Sequence, residues 1–370
     1  MSREAAYAAV LELAGADAFV LTSEPAVQHA SAVRLYTHRL IPQRPIVCVV
    51  CPPEPPVVVA CVLEEDQLAA EHPGLAVRGF REFGDEPWER VAAVLAANGA
   101  RRVVVEDVIP AAWLAALHDQ LPEASLVVSY DLPLEPRIVK DKGEQRLLGE
   151  ASRIAERALA AGAELVLPGR SEREVADAIA AAFQELAPGA GEVQGTCVAP
   201  QNNRSMHHAS GPDVLPEVGP VRLGVLGRIE GYWVLITRML VLGEDDPFEE
   251  AYPRYLRVYE ETMTELVVGA DPRGLYRRCG QRVAALGFEL TTLKIGHGTG
   301  LDFRERPWLS PLDDMPLGSG MVLAFDYGLE GDDGTVLHLE DRVLVTAEGP
   351  SRLSSAWDLA DLRGGFRTLR

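Results

Sequence analysis

The sequence predicts an α/β unit followed by an α+β unit, and three observations carry that expectation. Over residues 17–129, apolar strand-like runs alternate with Ala- and Leu-rich helical runs, the pattern of an α/β domain. The stretch YDLPLEPRIVKDK, residues 130–142, holds two prolines and mixed charges without a sustained period, so it reads as a linker with a boundary near 135. Beyond it, a helical pair, a strand-rich stretch, a second helical stretch and further strands follow in an order that suggests an antiparallel sheet. The expected organisation is an α/β N-terminal domain over residues 1–135, an α+β domain over 136–355, and a polar, glycine-containing tail over 356–370.

The chain opens with a short, ordinary helix, and the runs AFVLTS, RPIVCVVC, PVVVACVL, RRVVVEDV and ASLVVSY then supply the strands. After the linker, Leu147, Leu148, Ala151, Ile154, Ala155, Ala158 and Leu159 recur at helical spacing and mark one apolar face. Gly162, Pro168 and Gly169 are expected to end that helix. Ser171 and Glu174 form a capping box opening a second helix through Ala187, because hydroxyl and carboxylate satisfy orphan backbone donors reciprocally. Strands are expected over 195–242, helices over 249–287 and strands again over 291–346. No internal repeat with a period of 20 to 50 residues is present.

At 370 residues, 47% hydrophobic and 24% charged, the chain has a globular composition, which excludes collagen, coiled coil and disorder. Its net charge of −20 repels phosphate backbones, so nucleic acid is not an expected partner. The start MSREAAYAAVLELAGADAFVL lacks a basic segment before a long apolar run, and no stretch reaches 18 apolar residues. A cytoplasmic protein with no membrane segment is expected. The five cysteines, Cys48, Cys51, Cys61, Cys197 and Cys279, are odd in number and scattered, which points to free thiols. Cys48 and Cys51 make a C-x-x-C inside a β-rich run, where positions three apart face opposite sides and cannot share a metal.

Among eight histidines, His207, His208 and His297 stand among polar or glycine neighbours. In IGHGTGL the glycines flanking His297 let the backbone approach either a ligand or a neighbouring strand. Asp326 in MVLAFDYG and Glu340 in VLHLEDRVLV are carboxylates in otherwise apolar strands, where burial needs a compensating cation or donors. His338 and Glu340, two apart, share a strand face and can converge as an acid/base pair or as metal ligands; the alternative is an ion pair with a nearby arginine. Phosphate-loop, zincin and serine-hydrolase motifs are absent, and GHGTG lacks the spacing of a dinucleotide fingerprint.

Residues 137–353 resemble the creatinase, aminopeptidase P and prolidase (Xaa-Pro peptidase) family. RIVKDKGEQRLLGEASRIAERAL, NNRSMHHASGPDVL, GRIEGYWVLITRMLVLG, GHGTGLDFRERPWLSPLDDMPLGSGMVLAFDYG and HLEDRVLVTAEGPSRL fall in its order and at its approximate spacing. The resemblance implies a pita-bread catalytic-type domain, a curved antiparallel sheet with helices outside, behind a creatinase-like N-terminal domain, and suggests a homodimer. The family's peptidases hold two divalent ions through two aspartates eleven apart, a histidine and two glutamates. On this match the aspartate positions are Gly224 and Leu235, neither of which ligates through its side chain. His297 matches the ligand histidine, Asp326 falls at the first glutamate and Glu340 at the second. Asp326 is one methylene shorter than glutamate and reaches about 1.5 Å less far.

Seven residues after His297 the family's peptidases carry another histidine; here Arg304, which does not deprotonate, is suited instead to gripping a substrate carboxylate. His207 falls at the upstream histidine that acts as acid and base in creatinase, the family's metal-free member, and His208 follows it as a second candidate contact. Creatinase has a glutamate where this chain has Thr237, so creatine itself is not the expected substrate; Arg238 matches a family arginine read as structural or orienting, the alternative being an ion pair inside the domain.

Three functions follow as expectations. The first is a metal-independent C–N hydrolase of a small amide, guanidino or amino-acid-like substrate, with no cofactor, His207 as acid/base, His338 and Glu340 orienting it, and Arg304, Arg238 and His208 toward substrate. The second is a divergent Xaa-Pro dipeptidase or aminopeptidase with a single Mn, Zn, Co or Fe ion on His297, Asp326 and Glu340. The third is a non-catalytic peptidase-like protein binding a small molecule or short peptide.

Overall fold

A computed structural model describes residues 2–84, 86–243, 246–330 and 336–354, so the expected tail at 356–370 lies outside the described residues. Contacts divide the chain into two compact units, Met1–Arg137 and Ile138–Arg370.

The first unit is a six-stranded mixed sheet of β1 (Ala18–Leu21), β2 (Val47–Val50), β3 (Val57–Cys61), β4 (Ala76–Phe80), β5 (Arg102–Glu106) and β6 (Ser125–Ser129), in the order β4-β3-β2-β1-β5-β6. β1 pairs antiparallel with β2 and parallel with β5. The inner strands β1, β2, β3 and β5 are apolar on both sides because helices cover both faces. Val20, Val49 and Val105 pack with Trp88, Val91 and Leu95 on one face, and Phe19, Cys48 and Val104 with Tyr7, Leu11 and Val27 on the other. Cys51 belongs to the first cluster and Cys48 to the second, so the C-x-x-C pair is split between faces. All five cysteines are free and buried.

The stretch expected to be a linker is instead helical at Asp131–Ile138, although Pro136 lies inside it. Leu134 and Ile138, one turn apart, are both buried, and that burial outweighs the hydrogen bond Pro136 cannot donate.

In the second unit the helix Lys142–Ala163 is capped by Asp141 and Glu144 and buries Leu148, Ala151, Ala155, Ala158 and Leu159. The Ser171–Glu174 capping box is present and opens the helix Glu172–Leu186. The first helix ends at Ala163, one residue after Gly162 and before Pro168 and Gly169. A Cβ on Gly162 would come 2.1 Å from Ile179 Cγ1, so glycine lets the two helices touch.

The sheet runs β12-β11-β13-β14-β9-β8-β7, built from β7 (Gly191–Val198), β8 (Gly219–Ile229), β9 (Tyr232–Leu242), β11 (Gly296–Gly298), β12 (Glu305–Trp308), β13 (Val322–Glu330) and β14 (Val336–Thr346). Short β10 (Glu289–Leu290) pairs with β13, and β15 (Gly349–Arg352) with β14. Every pairing in it is antiparallel. The helix Asp246–Met263 places Tyr255 and Tyr259 one turn apart. Tyr255 donates to Tyr327 O (3.0 Å) and accepts from Leu339 N (3.0 Å), while Tyr259 donates to Phe325 O (2.8 Å). These bonds clamp one face of β13 and β14, and strand alternation turns Asp326, His338 and Glu340 to the other. No helix among the described residues is long and apolar enough to cross a membrane.

Candidate functional site

The site is laid out by register. Asp326 pairs with Glu340 and Gly328 with His338 across β13 and β14. Glu340 pairs with Thr237 on β9, and Thr237 with Gly224 on β8. One row, Gly224, Thr237, Glu340 and Asp326, therefore crosses four strands. Leu235, half-buried, is two residues from Thr237 and shares its face.

One ligand atom from each of Asp326, His338 and Glu340 lies within 4.8 Å of the others, and all three side chains are buried. His338 Nε2 is 2.7 Å from Asp326 Oδ1, and Lys294 Nζ bonds Asp326 Oδ2. Arg342 Nη1 donates to Glu340 Oε1 at 2.9 Å. Burial opposes ionisation of Asp326, but the bond from His338 and the charges of His338 and Lys294 outweigh it and hold its carboxyl well below the usual range. Burial, with the facing Asp326 charge, pushes Glu340 up to about 7 against the pull of Arg342. Burial lowers His338, and Asp326 opposes the shift.

His297, on β11 opposite Ala324, is also buried, but it is not part of that close trio. Its Nδ1 is 2.8 Å from Gly298 O, and burial with the Lys294 charge pushes the ring down to about 3. The flanking glycines serve strand approach: a Cβ on Gly296 would come 2.5 Å from Ala324 O and one on Gly298 2.3 Å from Arg306 O.

His207 is exposed, on a loop whose neighbouring residue Met206 packs against β13 at Gly328. Arg222 Nη2 bonds Ser205 O and lies 3.4 Å from Met206 O. A Cβ on Gly328 would come 2.8 Å from Met206 Sδ, so Met206 covers the β13 position facing His338. His208 turns to Glu172, with Nε2 3.0 Å from Oε2. Arg304 is exposed, its guanidinium 5.5 Å from the Phe303 ring centre, and Phe303 packs edge-on against His297 at 6.1 Å. Arg238 is fully buried on the opposite sheet face, bonded to Asp341 (2.7 Å), Glu156 (3.2 Å) and the carbonyls of Thr237 and Glu340 (2.9 Å each). The structure thus brings His338, Glu340 and Asp326 together and commits Arg238 and His208 to other acids.

Three cations of this face escaped the sequence reading: Lys294, Arg342 and Arg222. Period-two alternation signals two of them, because Arg342 follows Glu340 by two and Arg222 precedes Gly224 by two.

The sequence profile of metallopeptidase family M24 matches residues 146–347, and that of the creatinase/prolidase N-terminal domain matches residues 3–139. An Xaa-Pro dipeptidase of Pyrococcus horikoshii is 25% identical over 293 residues, 78% of this chain and 81% of its own. The probable dipeptidase PepE of Mycobacterium tuberculosis is 29% identical over 288 residues, 76% of this chain and 75% of its own. In fold, the prolidase of Pyrococcus horikoshii superposes with a TM-score of 0.82 at 20% identity, covering 96% of this chain and 98% of that one.

Proposed function

Since the chain belongs to metallopeptidase family M24, with a creatinase/prolidase-type domain in front, we propose that it is a hydrolase that works without divalent ions. Its substrate in this reading is a small amide, guanidino or amino-acid-like molecule with a scissile C–N bond. The observation that carries the proposal is that both acids of the trio already hold a side-chain cation, Lys294 on Asp326 and Arg342 on Glu340. Two divalent ions need free carboxylate oxygens and a bridging carboxylate to offset their mutual repulsion. Asp326 has both oxygens engaged and Glu340 one, while Gly224 and Leu235 offer no side-chain donor. The donor set does not fit a two-ion centre.

In this reading His207 accepts a proton from water as the water oxygen bonds to the substrate carbon. It returns that proton to the departing nitrogen as the C–N bond breaks, so the elements of water are divided between the two products. The fixed charges of Lys294 and Arg342 stabilise the charge that develops. Arg304, exposed beside Phe303, grips an anionic part of the substrate at the rim. Arg238 and His208 act as scaffold.

A second reading, a dipeptidase with one divalent ion, is favoured by the 4.8 Å grouping of Asp326, His338 and Glu340 and by the dipeptidase names of the relatives. It requires an ion to displace Lys294 and Arg342. The two separate in one assay, in which chelator-treated protein is offered small amides and Xaa-Pro dipeptides with and without Mn, Zn or Co. Turnover without metal, reduced about 10²- to 10⁴-fold in His207→Ala, supports the first reading. Turnover that needs added metal supports the second, and none under either condition leaves a peptidase-like binding protein. A homodimer belongs to the same proposal and is read by sedimentation.

A further inference from the structure

We propose that Arg222 and Arg342 form a receptor for the carboxylate of a small organic ligand, seated over the gap that Gly224 leaves in the sheet. The inference rests on the metal-free reading above, because divalent ions on the trio would change the charge balance of the face.

Arg222 is 2% exposed, yet its partners are the carbonyls of Ser205 and Met206, and no carboxylate among the described residues bonds it. Its Nη1 is buried without a hydrogen-bond partner. Burial alone pulls its guanidinium down to about 10, since no acid offsets the loss of water. Arg342, fully buried, spends Nη1 on Glu340 and leaves Nε and Nη2 without partners. Lys294 is taken by Asp326. Among the described residues the face therefore carries three lysine or arginine side chains, Arg222, Lys294 and Arg342, against two carboxylates, Asp326 and Glu340. Buried donors and uncompensated buried charge are both costly, and one bound anion relieves both.

Position selects the seat. Arg222 lies two residues before Gly224 on β8 and Arg342 two residues after Glu340 on β14, so the two guanidinium-bearing positions flank the row from Gly224 to Asp326 on one face. Packing does not demand glycine at 224. An added Cβ would meet Thr237 Oγ1 at 3.5 Å and Thr196 Cβ at 3.6 Å, ordinary contacts, so its absence leaves room. Chemistry selects the ligand. With Glu340 ionised and His338, lowered by burial, neutral, the excess is one positive charge, which a monoanionic carboxylate balances and a phosphate dianion reverses. The planar guanidinium fork matches two carboxylate oxygens.

The test uses metal-stripped full-length protein titrated calorimetrically with N-acetylproline, N-acetylglycine and acetate, with the amide of each acid, and with inorganic phosphate. Divalent-ion content is measured on the same samples. The proposal expects at least one acid to bind about 10-fold or more tightly than its amide, and Arg222→Gln to erase that preference. Equal affinity for acid and amide, binding of none of the three acids, a preference unchanged in Arg222→Gln, or phosphate outcompeting every acid overturns it. If Arg222→Gln does not fold, the acid-to-amide ratio of the native chain decides. Loss of the preference in ion-free protein defeats this inference alone, whereas ions that resist stripping defeat the metal-free reading itself.

Discussion

The two faces of β14 carry networks of similar chemistry and different charge balance. On the face turned toward the helix Lys142–Ala163, Arg238 and Arg352 meet Asp341 and Glu156, with Ser354 closing on Asp341 at 2.6 Å. Among the described residues, two cations meet two acids there. On the site face, among the described residues, Arg222, Lys294 and Arg342 stand over Asp326 and Glu340, and with Glu340 ionised one positive charge is left over. A buried network that only holds a fold is selected to cancel its charges, because an uncancelled one costs stability. The uncancelled face is where a ligand belongs, and the difference between the faces separates scaffold from site without appeal to motif.

The largest effect is expected on the balanced face. Arg238→Met removes the fully buried guanidinium from Asp341, which keeps Arg352 and Ser354, and from Glu156, and should cost about 3–5 kcal/mol in urea unfolding; a loss under about 1 kcal/mol would mean that this network is not structural. On the site face, Lys294→Met leaves Asp326 with His338 alone. Because Lys294 is partly exposed, the expected loss is smaller, about 1–3 kcal/mol. The same variant should gain measurable Zn or Mn binding, since it frees Asp326 Oδ2.

Gly224→Asp sharpens the contrast further. An added acid cancels the surplus charge, and its Cβ meets only ordinary contacts. Stability should change by no more than about 1 kcal/mol, although an unpaired buried carboxylate elsewhere costs several. A loss above about 3 kcal/mol would show that the face has no surplus to cancel.

The smallest effect concerns the loop that carries His207. Burial opposes ionisation of Glu172, but bonds from Asn202, the Ala199 and Gly211 amides and His208 outweigh it and lower its carboxyl. A carboxyl lowered in the folded state adds stability above its unfolded value, about 4.3, and that contribution disappears as pH falls through the folded value. Glu172→Gln should therefore flatten the acid side of the stability profile, and an unchanged profile would return His208 to the substrate candidates.

Much of the fold is legible in the sequence, because alternation and helical period encode which faces are buried. The apolar face through Leu148, Ala155 and Leu159 and the capping box at Ser171 are local patterns and appear as expected. The helix at Asp131–Ile138 was hidden by its prolines, since propensity points to a linker while burial of Leu134 and Ile138 decides otherwise. At the site, Asp326, His338 and Glu340 are legible as polar residues in apolar strands. Lys294, Arg342 and Arg222 are less so, because a cation reads as surface until register places it beside an acid. The glycines around His297 were open to two meanings, and their contacts with Ala324 and Arg306 explain them as close strand approach.

The central claim is that Lys294 and Arg342 take up the acids on which a metallopeptidase would hold its ions. It is tested most directly by elemental analysis of purified protein after incubation with Mn, Zn, Co and Fe(II), together with the same measurement on a Lys294→Met, Arg342→Met double variant. The account predicts no stoichiometric divalent ion in the native chain and a bound ion in the double variant. One or two tightly held ions per native chain would contradict it.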